Sequence, residues 1–184
     1  MNDPGLLDKI LALHAALADA DVPHAFGGAL ALAWCVGEVR ATVDVDCNIF
    51  LEPAAGTRTA LPALPDDVAW TSQDVAVLER DGQTRLWWGR HPIDLFFDTT
   101  EFHEEAAGRV QWRPLAGVDL PFLACADLAV FKVFLDRGQD WVDLESMAAR
   151  RTTQWARTLG VLVSHLGSTD PRIAKLERLL EDAT

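Results

Sequence analysis

Two aspartates, two residues apart, are the feature of this sequence that most directly suggests chemistry. Asp44 and Asp46 lie in the stretch 42–51, where apolar residues alternate with polar ones. That alternation predicts a β-strand with both aspartates on one face, their Cα atoms roughly 6.5–7 Å apart. Mg²⁺ prefers oxygen ligands, so two or three carboxylates and substrate phosphates can complete its coordination. The pair therefore indicates phosphoryl chemistry, although an Asp-x-Asp on an amphipathic strand is also compatible with a plain solvent-exposed face.

A third carboxylate, Asp94, occupies a second alternating segment, 93–98. It is the natural third metal ligand if its strand lies beside the strand of Asp44 and Asp46. Three negative charges at one place repel each other, and a bound cation offsets that repulsion. The competing interpretation, a generic αβ domain with surface aspartates, predicts that Asp94 lies far from Asp44.

Gly27 and Gly28 follow a short predicted strand, 24–26, and precede a short apolar helix, 29–36. Glycine allows a ligand to approach the backbone closely. A helix that begins at such a turn presents free amide donors and the positive end of its dipole to an anion. A phosphate bound there, with metal ions at the aspartates, would hold a nucleoside triphosphate between them.

These segments together resemble the signature of minimal nucleotidyltransferases of the polymerase-β superfamily. The similar segments are Phe26-Gly27-Gly28-Ala29-Leu30-Ala31-Leu32, then Arg40-Ala41-Thr42-Val43-Asp44-Val45-Asp46, and Ile93-Asp94-Leu95-Phe96. Residues 127–144 are similar to the tail of abortive-infection toxin-type relatives. Two departures concern the substrate: many members have Gly-Ser in place of Gly27-Gly28, and the interval to Asp44 matches the toxin-like and antibiotic-modifying branches better than the polymerases.

The resemblance implies an α+β fold in which helices flank a mixed β-sheet. Residues 1–120 would form the nucleotidyltransferase core, and residues 121–184 a C-terminal helical region packed on it. It implies catalytic and metal-binding roles for Asp44, Asp46 and Asp94, with two Mg²⁺ ions. It implies contacts to the nucleotide from Gly27, Gly28, Arg40, Thr42 and Lys132.

The implied reaction moves a nucleoside monophosphate from an NTP to an acceptor hydroxyl. The acceptor is the 3′ end of a tRNA, as in toxin-type relatives, or a small molecule such as an aminoglycoside. Toxin-type relatives also imply a cognate antitoxin as a partner. The alternative is a catalytically inactive module that binds a nucleotide or a partner protein. For Lys132, the alternative role is a surface ion pair with Asp136.

Composition limits these functions. The 184 residues are 49% hydrophobic and include 7 Trp and 8 Phe, enough for a core without disulfides. We therefore expect Cys35, Cys47 and Cys125 to be reduced thiols of a cytoplasmic protein. The segment at the N-terminus does not resemble a signal peptide, and no apolar run is long enough to predict a membrane span. The net charge of −12 disfavours extensive contact with duplex DNA and suits a cationic partner.

The remaining pattern predicts the elements around the site. Helices are expected at 6–20 and 53–64, and then from residue 124 onward, including 153–165 and 171–180. Strands are expected at 75–80 and 84–88, joined as a hairpin by Asp81-Gly82, and at 109–113. Trp87 and Trp88 fall on one of these strands, so one of them should face the core and the other should pack under the C-terminal tail. The alternative is that one of them stacks on a base.

Overall fold

The computed structural model describes residues 3–183. The α+β class is confirmed, because a mixed sheet is flanked by helices and followed by further helices. The helices are α1 (Leu6–Asp19), α2 (Gly28–Val36), α3 (Pro53–Ala63), α4 (Ser72–Asp81), α5 (Glu101–Ala107), α6 (Cys125–Leu135), α7 (Gly138–Ala149), α8 (Trp155–Leu166) and α9 (Pro171–Asp182). The strands are β1 (His24–Phe26), β2 (Val45–Ile49), β3 (Val68–Ala69), β4 (Gln83–Trp88), β5 (His91–Phe97), β6 (Gln111–Leu115) and β7 (Val118–Phe122).

The chain divides into two compact units. The first contains the chain up to Leu30 and residues Ala41–Leu123. The second contains Ala31–Arg40 and the chain from Ala124 onward. The division at residue 120 expected from the resemblance stays a prediction. Within the described residues, no helix is long and apolar enough to cross a membrane.

The first unit holds the whole seven-stranded sheet, in the order β3-β4-β5-β2-β1-β7-β6. β2 pairs with β5 in parallel, β1 pairs with β7 in parallel, and the other neighbours are antiparallel. Alternate residues of the two central strands are fully or almost fully buried, namely Val45, Cys47 and Ile49 of β2 and Ile93, Leu95 and Phe97 of β5. Because side chains alternate along a strand, burial of this face turns the intervening polar residues to the other one.

The segment before Asp81-Gly82 is helical, so the predicted hairpin at this position is wrong. Thr71 caps α4 by accepting a hydrogen bond from the backbone N–H of Asp74, whose carboxylate accepts one from Thr71 N–H. Gly82 ends the helix in the left-handed conformation, with φ of 68°. An Asp-Gly pair suits both a hairpin turn and a helix C-terminus, and here the capping box upstream decides for the helix.

β4 instead forms its hairpin with β5. The turn contains Gly89, which has φ of 59°, and Trp88 faces His91 across the pair. β6 and β7 form a second hairpin, of which the sequence predicted only the first strand, over 109–113. The short helix α5, capped by the Thr100 hydroxyl, was not predicted.

Helices make up the second unit, as expected for residues after 124. Its core includes Leu128, Val133, Leu144, Met147, Leu162 and Leu176, all buried. A disulfide joins Cys35 to Cys125, 90 residues apart, so the expectation that these two thiols are reduced is wrong. Their separation hid the pairing, because only the packing of α2 near the start of α6 brings the two sulfur atoms together. Cys47 is a free, buried thiol, and burial raises its pKa.

Candidate active site

Asp46 and Asp94 face each other across the centre of the sheet. The parallel pairing of β2 with β5 sets Asp46 opposite Asp94. Asp44 lies one residue before β2, which begins at Val45 rather than at residue 42 as the alternation predicted. The sequence places Asp44 and Asp46 on one side of the chain, and the strand order adds Asp94 to them. Arg85 Nη2 lies within 3.4 Å of Asp44 and 2.7 Å of Asp94, so the prediction of the generic-domain interpretation that Asp94 lies far from Asp44 is wrong.

Arg85 lies between these carboxylates, and sequence reasoning missed it. It is the register partner of Asp94 on β4. Its Nε and Nη2 atoms each donate to a different carboxylate oxygen of Asp94, both at 2.7 Å. Nη2 also lies 3.4 Å from Oδ2 of Asp44. The hydrogen bond to Asp94 raises the pKa of Arg85, and the charges of Asp94, Asp44 and Asp46 raise it further.

The aspartate cluster, which we define as Asp44, Asp46 and Asp94, suits a hard cation because all its donor atoms are carboxylate oxygens. Arg85 shows that a positive charge is stable beside these carboxylates. Within residues 3–183, no three His, Cys, Asp or Glu side chains lie close enough together to hold a metal ion in their present positions. The donor set therefore fits Mg²⁺ in chemistry, whereas its present spacing is that of a carboxylate pair bridged by a guanidinium.

The glycine turn makes room for Asp46. A Cβ atom on Gly28 would lie 1.8 Å from Oδ2 of Asp46, far inside any allowed contact. Gly28 also has φ of 50°, a backbone conformation that side-chain-bearing residues rarely adopt. On Gly27, a Cβ atom would lie 2.8 Å from Nδ2 of Asn48. In the structure, the side chains of β2 approach this backbone closely, and the predicted approach of a ligand to it stays a prediction.

Thr42 stabilises the chain just before β2. Its hydroxyl oxygen lies 3.2 Å from the backbone nitrogen of Asp44, from which it accepts a hydrogen bond. This local turn positions the first aspartate of the cluster. A direct contact from Thr42 to a nucleotide stays a prediction.

Lys132 and Arg40 belong to the second unit, where both contact carboxylates. Lys132 is buried, and its Nζ lies 3.2 Å from Asp140 and 2.6 Å from Asp143. Arg40 lies 3.5 Å from Asp143. The alternative pairing of Lys132 with Asp136 is wrong, since the lysine bonds to carboxylates of α7 instead. Nucleotide contacts from Lys132 and Arg40 stay predictions.

The buried charges of the second unit are balanced. Burial tends to raise the pKa of Asp140, but the hydrogen bond and charge of Arg137 and the charge of Lys132 outweigh it, so the net pKa is lowered. Gln139 donates a hydrogen bond to Asp143 at 3.0 Å. Buried charges are stable only when paired in this way, which accounts for these residues without a catalytic role.

Trp87 lies on the same sheet face as the aspartate cluster. Gln83, Arg85 and Trp87 alternate with buried residues along β4, and Trp87 is opposite Pro92, two residues before Asp94. Its side chain is 51% exposed, whereas Trp88 points to the core and is 4% exposed. The expectation that one of the two tryptophans faces the core is confirmed.

Comparison with known proteins identifies the fold. No protein-family model matches the chain, and no curated protein is similar to it in sequence. The solution structure of the antibiotic-resistance factor ANT(2″)-Ia is similar, with a TM-score of 0.59 and 18% identity over 98% of this chain and 100% of that chain. The crystal structure of ANT(2″)-Ia in complex with adenylyl-2″-tobramycin is also similar, with a TM-score of 0.53 and 17% identity over 96% and 95% of the two chains. The chain has a nucleotidyltransferase-like fold. The resemblance stated from the sequence is confirmed at the level of the fold.

Proposed function

We propose that this chain transfers a nucleoside monophosphate from an NTP to an acceptor hydroxyl, with Asp44, Asp46 and Asp94 holding divalent cations. One observation carries the proposal: the parallel pairing of β2 and β5 sets Asp46 opposite Asp94 on a partly exposed sheet face. Asp44 lies beside them, and the guanidinium of Arg85 bridges Asp44 and Asp94. Clustering of three carboxylates is electrostatically unfavourable unless cations offset it, and Arg85 supplies one positive charge beside three negative ones.

Each residue has a role in this proposal. Bound Mg²⁺ ions would neutralise the triphosphate charge and favour in-line attack of the acceptor hydroxyl at the α-phosphate, with pyrophosphate as the leaving group. Asp46 can lie beside the first turn of α2 because Gly28 has no side chain that would occupy the same space. Asp94 accepts the proton of the acceptor hydroxyl, as a carboxylate within reach of the reacting oxygen can. Gly27, Gly28 and Thr42 position the phosphates.

A cationic small molecule is the acceptor that the charge of the chain favours. The net charge of −12 attracts cations and repels the phosphates of RNA. The structurally similar ANT(2″)-Ia has been crystallised with adenylyl-2″-tobramycin. Trp87 offers an exposed aromatic face beside the cluster, suited to stacking on a base or covering an acceptor ring. Transfer to the 3′ end of tRNA is the other outcome that the experiment below distinguishes.

The test is incubation with each of four α-³²P-labelled NTPs and Mg²⁺. Separate reactions contain an aminoglycoside panel, total tRNA or total protein as the acceptor. The expected result is label on an aminoglycoside with the wild type and a loss of at least about 10³-fold with Asp46→Asn or Asp94→Asn, since each replaces a charged carboxylate ligand with a neutral amide. Asp119→Asn is the matched control, because Asp119 is an exposed strand aspartate of β7, outside the cluster.

A second candidate is a module that binds a nucleotide or a partner without turnover. The bonds from Arg85 to Asp44 and Asp94 favour it, because they occupy the oxygens that a metal ion would need. Label transferred to no acceptor, together with metal-independent nucleotide binding in calorimetry, would support this candidate. Transfer by the wild type that is lost in the aspartate variants would exclude it.

A further inference from the structure

Arg85 competes with metal ions for the aspartate cluster. Its guanidinium bonds to both oxygens of Asp94 at 2.7 Å and approaches Asp44 at 3.4 Å. A divalent ion bound to the same oxygens at about 2.0–2.1 Å would be within a few ångströms of that positive charge. Because two cations so close repel each other, a metal ion bound at these oxygens weakens the bonds of the guanidinium to the same carboxylates.

Arg85 is free to move when a metal ion arrives. Its side chain is 49% exposed, and in the described chain its guanidinium hydrogen bonds all go to Asp94 or Asp44. A half-exposed arginine can rotate about its flexible stem once a new partner replaces its bonds to the two aspartates. Its release therefore needs no rearrangement of the strands.

A triphosphate offers Arg85 a second partner. The planar guanidinium fork matches phosphate oxygens as well as it matches a carboxylate, and both bind it in a two-point contact. A nucleotide that approaches the cluster brings phosphates to the same sheet face on which Arg85 lies. Exchange of the carboxylate for a phosphate keeps the arginine bonded while it frees the oxygens of Asp94 and Asp44.

We propose that Arg85 is a positioning residue that holds Asp44 and Asp94 together in the free protein and moves to the nucleotide phosphates when metal ions bind. This inference rests on the proposed function, since it assumes metal binding at the cluster. It predicts that metal ions and nucleotide bind cooperatively. A metal ion frees Arg85 to bind the phosphates, and the phosphates draw Arg85 away from the carboxylate oxygens that the metal ion needs. In the free protein the metal affinity is low, which protects the site from binding ions without substrate.

The test is a titration with Mn²⁺, with and without a non-hydrolysable NTP analogue. Binding is measured as the loss of the free-ion signal in electron paramagnetic resonance. Without nucleotide, Arg85→Gln should bind Mn²⁺ at least about tenfold more tightly than the wild type, because a charge-assisted pair no longer competes. Relative to a titration of the analogue alone, which also binds Mn²⁺, the analogue should tighten Mn²⁺ binding to the wild type and have a smaller effect on Arg85→Gln. Arg85→Lys, which keeps the charge without the fork, should lie between the two.

Arg80→Gln is the matched control. Arg80 forms a similar two-point pair with Asp81 on the surface, so its loss changes the net charge equally but leaves the cluster untouched. Equal Mn²⁺ affinity in the wild type and Arg85→Gln would overturn this inference and leave the proposed function standing. Absence of Mn²⁺ binding in all variants, with and without the analogue, would overturn the metal site itself and both proposals with it.

Discussion

Replacing Gly28 with alanine tests how the glycine turn supports the aspartate cluster. The variant has two costs. The first is backbone strain, since alanine must adopt φ of 50°; this costs about 1–2 kcal/mol. The second is a clash, because the new Cβ would lie 1.8 Å from Oδ2 of Asp46.

The clash fixes the expected loss of function. Real Cβ contacts are essentially never shorter than 3.0 Å, so the Asp46 carboxylate must move by at least the 1.2 Å that separates this limit from 1.8 Å. A displacement of about 1 Å in a catalytic group typically costs about 10²-fold in rate. We therefore expect Gly28→Ala to lower kcat/KM for nucleotidyl transfer by about 10²-fold and to weaken Mn²⁺ binding.

Gly37→Ala separates the two costs. Gly37 has φ of 72°, and a Cβ atom there would meet no heavy atom within 4 Å. Gly37→Ala should lose about 1–2 kcal/mol of unfolding free energy in urea and keep its Mn²⁺ affinity and kcat/KM, whereas Gly28→Ala should lose at least as much stability because of its added clash. Equal Mn²⁺ affinity and kcat/KM in the two variants would refute the argument that Gly28 exists to admit Asp46.

Three further predictions concern residues around the sheet and the second unit. Trp87→Ala should raise KM for the nucleotide or the acceptor by about tenfold through lost stacking, while its unfolding free energy stays within about 0.5 kcal/mol of the wild type. The buried Trp88 is the contrast, because Trp88→Ala should cost about 3–5 kcal/mol of stability. Unchanged KM of Trp87→Ala in steady-state kinetics would contradict the stacking role. Dithiothreitol should lower the unfolding free energy of the wild type by about 2–4 kcal/mol, because the Cys35–Cys125 link closes a loop of 90 residues, and it should not affect the double Cys→Ser variant. Burial lowers the pKa of His103 to about 4 from 6.5, so the unfolded chain binds a proton that the folded chain refuses, and stability should fall by up to about 3 kcal/mol as the pH drops from 6.5 to 4. A His103→Gln variant should show a flatter pH dependence in urea denaturation, and an identical slope would count against this assignment.

Local pattern was sufficient for the helices and strands whose burial is regular. α1, α2 and α3 begin and end within one or two residues of the predicted bounds, because turn or stop residues such as Asp21, Gly37 and Pro65 lie close to their ends. The same holds for β5, in which buried and less buried residues alternate. The strand predicted over 75–80 failed because Asp81-Gly82 fits two local structures, and the deciding contact is between Thr71 and Asp74.

The sequence by itself determined the residue types of the candidate site and the shared face of Asp44 and Asp46, because alternation along one strand is a local property. It also indicated the fold, through the order of the glycine turn, the short helix and the aspartates. Only the tertiary structure brought Asp94 opposite Asp46 and Arg85 opposite Asp94, since strand order and register join residues up to 48 positions apart. Only packing joined Cys35 to Cys125 and bonded Lys132 to Asp140 and Asp143. The physical reason is that periodicity reports which face of a helix or strand is buried, whereas the residue that lies opposite on the neighbouring element depends on how the whole chain packs around its core.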